Sequence, residues 1–73
     1  MRTAIFITTT GFPEDVFRAV RRMAGVEEAH LLIGVYDIVA IVSAEDEAGL
    51  KRIASRIRAV PGVMTTTTFL YMT

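Results

Sequence analysis

Asp37 is the one acidic residue of this chain outside the expected helix starts and the Glu27-Glu28 pair, and it directly follows the glycine-containing turn Gly34-Val35-Tyr36. Glycine lets a ligand come close to backbone amides, so such a turn sets donors for a negative group beside a carboxylate that accepts a positive one. The same residues also serve a plainer purpose in hairpins, where Gly supplies positive φ and Asp bonds its own backbone. Further on, Met64, Thr66 and Thr68 recur every second residue. On an extended strand they share one face, and two hydroxyls and a thioether there could hold a carboxylate or a small side chain. Threonines are equally ordinary strand formers, a methionine is often a core filler, and Tyr36 could pack in an interface with its hydroxyl paired. His30, the single histidine, lies in a strand-like segment and reads as structural. With no cysteine, no cluster of metal-ligand type and no carboxylate pair spaced for acid/base work, no catalytic residue, metal site or cofactor is expected.

The elements that must position these residues follow from periodicity. Residues 3–9 are β-branched and aromatic and stop at Gly11-Phe12-Pro13, where the proline suits a first helical turn. Val16, Phe17, Val20, Met23 and Ala24 then form one apolar stripe, opposite Arg18, Arg21 and Arg22, in a helix closed near Gly25. Residues 26–34 and 36–43 are strand-like and join as a hairpin through Gly34-Val35. Ser43-Ala44-Glu45-Asp46 has capping-box spacing ahead of Leu50, Ile53, Ala54 and Ile57, a second helical stripe that ends at Pro61-Gly62. Residues 64–72, with four consecutive threonines, form the last strand. The expected fold is α+β, ferredoxin-like βαββαβ: a four-stranded antiparallel sheet with both helices on one face.

The strand segments are apolar on both faces. Ile5-Phe6-Ile7, Leu31-Leu32-Ile33, residues 38–42 and Phe69-Leu70-Tyr71-Met72 are unbroken runs instead of alternating ones. Two helices cover only one face of such a sheet, so the other face calls for a second copy of the chain in a dimeric, α+β barrel-like assembly. Size agrees. A chain of 73 residues holds one domain and buries only about 60% of its unfolded surface, and zero cysteines rule out disulfide staples. Apolar residues at 52% and a mean hydropathy of +0.45 are high for a small monomer, yet no run is long enough to span a bilayer. Without a recognisable signal peptide, a cytoplasmic location is expected. Formal net charge is zero, from eight basic and eight acidic residues. The acids gather at helix starts and the bases along the helices, as helix dipoles favour, so no bulk attraction to nucleic acid is expected.

Three segments together resemble a known family: Val26-Glu27-Glu28-Ala29-His30 entering a strand, Gly34-Val35-Tyr36-Asp37 followed by residues 38–42, and Pro61-Gly62-Val63-Met64 followed by the threonines. In this order and spacing the chain is similar to the C-terminal regulatory domain of Lrp/AsnC-type proteins, the leucine- and asparagine-responsive transcription regulators. The resemblance covers essentially the whole chain. It implies a regulatory domain over residues 1–73 that dimerises through its sheet, assembles into a ring of dimers and binds a free amino acid between neighbouring subunits. The ligand would lie against Gly34, Val35, Tyr36 and Asp37, with Met64, Thr66 and Thr68 contributing from the same or an adjoining subunit. Full-length members carry an N-terminal helix-turn-helix, and here the first strand begins at residue 3. No DNA-binding domain and no direct contact with nucleic acid is therefore expected, though full-length regulators of the same family are possible partners.

Three function classes remain at this stage. One is a non-enzymatic oligomeric module that binds an amino acid or related metabolite. Another is the same oligomer with an empty cleft, in which Val35 narrows the site. The third is a small cofactor-free enzyme of the dimeric α+β barrel type, against which the residue inventory argues.

Overall fold

The computed structural model describes residues 1–70 of the chain, so Tyr71 and Met72 of the last expected strand lie outside the described residues. Six elements follow in order: β1 (Arg2–Thr9), α1 (Pro13–Arg21), β2 (Val26–Leu31), β3 (Ile38–Ser43), α2 (Glu47–Arg58) and β4 (Val63–Leu70). The strands form one sheet in the order β2-β3-β1-β4, with every neighbouring pair antiparallel. This is the ferredoxin-like plan, and its physical origin is the apolar stripe of each helix. Val16 and Val20 of α1 and Leu50, Ile53, Ala54 and Ile57 of α2 pack in one core with Ile5, Ile7, Ile38, Ala40 and Val42. Both helices therefore bury against the same face of the sheet.

Register assigns each strand residue to a face. Thr3, Ile5 and Ile7 of β1 stand opposite Val42, Ala40 and Ile38 of β3 and lie under the helices. The residues between them, Ala4 and Phe6, stand opposite Ile41 and Val39 and point the other way. Thr3 is the one buried polar side chain among the described residues, and its hydroxyl donates to the Phe69 carbonyl, tying β1 to β4.

Two boundaries differ from expectation for local reasons. The helix α2 is capped by Asp46, whose Oδ1 accepts from the Gly49 amide at 2.8 Å, and not by Ser43. Ser43 stays in β3, where its amide donates to the Gly25 carbonyl at 2.9 Å. The hairpin loop is also wider than Gly34-Val35 alone. β2 ends at Leu31 and β3 begins at Ile38, because the Leu32 amide donates to the Asp37 carbonyl at 2.8 Å and leaves residues 33–36 as the loop. At the other end of the sheet Gly25 adopts φ 91, and a Cβ there would come within 2.5 Å of Ile53 Cδ1. A side chain at that turn would force the Ile53 side chain to move and would be strained at this φ.

Candidate functional site

The Gly34 to Asp37 turn is built by what its backbone cannot do. Gly34 sits at φ 147, a conformation that residues with a Cβ rarely adopt, and this carries the chain around a loop in which Ile33, Gly34 and Val35 are exposed. Leu32 and Asp37 close the loop with their main chains, Leu32 N–H to Asp37 C=O and Asp37 N–H to Ile7 C=O at 2.9 Å. Among the described residues, the four amides between them, of residues 33–36, donate to no protein acceptor. Unused amides at one turn, three of them on exposed residues, could hold an anion such as a carboxylate.

Asp37 is half-buried, and its carboxylate faces Thr9 at the end of β1. Oδ2 accepts from the Thr9 amide at 2.8 Å and from the Thr9 hydroxyl at 3.2 Å. Oδ1 has no partner among the described residues, and it is not sealed off either, since no buried side-chain oxygen lacks a partner there. One oxygen is thus held by the protein while the other opens to solvent. Tyr36, half-buried, packs its ring on Phe6 with centroids 5.1 Å apart.

The second group of candidate residues divides. Thr66 and Thr68 stand opposite Ile7 and Ile5 and so share the helix side of β4, as the spacing of two predicts. Met64 does not follow that alternation. The register steps from Thr8 opposite Thr65 to Thr9 opposite Val63, which makes Met64 the extra, unpaired residue of a bulge, 59% exposed. Asp37 is separated from β4 by the whole width of β1, so within one chain the turn and Thr66 lie on the order of 10 Å apart. Thr68 lies further along β4, where it lines a groove of about 310 Å³ with Glu47, Leu50, Lys51, Ala54 and Arg58. A single chain therefore gathers Gly34, Val35, Tyr36 and Asp37 with Thr9 and leaves Met64, Thr66 and Thr68 apart from them. Four surface grooves among the described residues are lined by other segments and not by the turn.

The helix-free face of the sheet carries a patch of apolar side chains. Phe6 stands at its centre, edge-on to Phe69 at 5.4 Å as well as against Tyr36. Half-buried Val39 and Ile41 on β3 extend the patch, and Phe69 is 50% exposed. The rim is charged. His30 Nε2 lies 3.0 Å from Glu28 Oε1 on β2, and Arg2 reaches Glu27 at 3.0 Å. His30 is exposed there and lines an open groove of about 350 Å³ with Phe17, Arg21, Glu27 and Glu28. Among the described residues no three His, Cys, Asp or Glu side chains converge in a way that could hold a metal ion. No described helix is long and apolar enough to cross a membrane.

Sequence reasoning missed Thr9 because nothing local links it to a residue 28 positions later. The aromatic cluster was partly visible as apolar runs, but Tyr36 joins it only through the width of the loop.

Comparison with known proteins places these features in a family context. The sequence pattern described as the Lrp/AsnC ligand binding domain matches residues 4–73. No curated protein matches the chain. Among solved structures, a protein of Thermus thermophilus superposes with a TM-score of 0.91 at 26% identity, over 99% of this chain and 92% of that one. A hypothetical protein of Pyrococcus horikoshii gives 0.86 at 29% identity, over 100% and 92%. A Neisseria meningitidis transcriptional regulator, solved as a complex with L-Met, gives 0.87 at 16% identity over 99% of this chain, which spans 49% of that regulator's length.

Proposed function

Because the chain belongs to the Lrp/AsnC ligand-binding-domain family, we propose that it works as a non-enzymatic, oligomeric effector module that binds a free amino acid at the Gly34 to Asp37 turn. One observation carries this reading: Asp37 Oδ1 is unpartnered and open to solvent at a turn with four unused amides. An α-amino acid brings an ammonium and a carboxylate on one carbon, and these two sets of groups match it. The Neisseria regulator's complex with L-Met supports an amino acid as the ligand class.

Two copies pair through their helix-free faces, burying Phe6, Val39, Ile41 and Phe69. Further association of such dimers brings Met64, Thr66 or Thr68 of one copy toward the turn of another. This accounts for a site that is open and incomplete in a single chain. Partners of the assembly are other copies and, within the family, regulators that carry the same domain.

Calorimetric titration of the protein with each of the twenty amino acids tests the reading. Binding that Asp37→Ala abolishes without changing the oligomer agrees with it. Flat responses across the set at millimolar ligand contradict it, as does binding that survives the substitution.

A further inference from the structure

The Asp37 main chain is fixed on both sides, its amide on the Ile7 carbonyl and its carbonyl on the Leu32 amide. Its side chain still has three staggered choices at χ1, and only an arrangement that points one oxygen outward suits a ligand's ammonium. The structure supplies a reason for one choice. Backbone groups two residues apart on a strand point to the same side, so the Thr9 amide faces β3, as the Ile7 carbonyl does. The ladder has already run out there, because β3 begins at Ile38. Asp37 Oδ2 takes the place of the missing strand carbonyl at 2.8 Å, and the Thr9 hydroxyl adds a second donor to the same oxygen at 3.2 Å. On the β4 side Thr9 stands opposite Val63, across the register shift that leaves Met64 as an extra residue.

We propose that Thr9 is a positioning residue for the ligand site: by holding Asp37 Oδ2 with both its amide and its hydroxyl, it presents Oδ1 to the ammonium of the bound amino acid. The inference rests on the amino-acid-binding reading above. The amide is common to any residue at position 9, so the part of the role specific to threonine is the hydroxyl, and Thr9→Val removes it with little change of shape. Losing one hydrogen bond to a charged group is expected to weaken binding by about tenfold or more. Thr9→Ser restores the hydroxyl and with it the affinity.

The test combines two measurements on the full chain: Asp37 χ1 from NMR couplings without ligand, and calorimetric titration with each of the twenty amino acids, L-methionine first. Expected are a single Asp37 rotamer in wild type and Thr9→Ser, averaging in Thr9→Val, and weaker binding by Thr9→Val alone. An unchanged rotamer in Thr9→Val, or equal affinity of Thr9→Val and wild type, overturns the positioning role while leaving the binding reading intact. Loss of affinity in both variants marks a packing effect and also overturns it. If the rotamers behave as expected but wild type binds no amino acid, the binding reading fails, and with it the role of Thr9 in a ligand site.

Discussion

Ile5 and Ile7 of β1 are fully buried beneath the helices, whereas Phe6, between them in the same apolar run, is half-exposed on the opposite face. Their chemistry is alike and their surroundings are not. One face of the sheet finds its cover within the chain, from the stripes of α1 and α2. The other carries Phe6, Tyr36, Val39, Ile41 and Phe69 with no covering element of its own among the described residues. The proposed pairing of copies rests on this patch, which is rimmed by Glu28, His30, Arg2 and Glu27. The difference separates the face that folds the chain from the face proposed to assemble it.

Substitutions sort themselves by face. Ile7→Ala opens a cavity in the helix-covered core and should cost about 2–5 kcal/mol, enough to unfold much of so small a domain, as equilibrium denaturation would record. Phe6→Glu places a charge at the centre of the open face. It should weaken self-association by about a hundredfold or more, read by sedimentation across a dilution series. Retained assembly in that variant would move the interface elsewhere. Asp46→Ala removes the α2 cap and touches neither face, so a loss of about 1 kcal/mol is expected, independent of protein concentration. Arg2→Ala breaks an ion pair whose side chains are 53% and 44% exposed in one chain, and should cost less than about 1 kcal/mol. A larger loss that depends on protein concentration would show that a partner copy encloses this rim.

Much of this plan was legible in the residues. The apolar periodicities gave the order of elements, and the unbroken runs at residues 5–7 and 38–42 gave the two-faced sheet, because strand alternation has a fixed period. Non-local choices stayed hidden. Ser43 and Asp46 are both good caps, and the choice fell to Asp46 because Ser43 is held in β3 by Gly25. Met64 has the spacing to join Thr66 and Thr68, but the β1–β4 register slips at that point, which no local pattern announces. Within the turn, the sequence singled out Asp37 as an isolated carboxylate and could not show that Thr9 already occupies one of its oxygens.

The central claim is that the helix-free face is covered by a second copy, and sedimentation equilibrium at micromolar concentration tests it most directly. A dimer or an even multiple of the 8.0 kDa chain is the predicted result. A well-folded particle of 8.0 kDa that stays monomeric across the concentration series would contradict it.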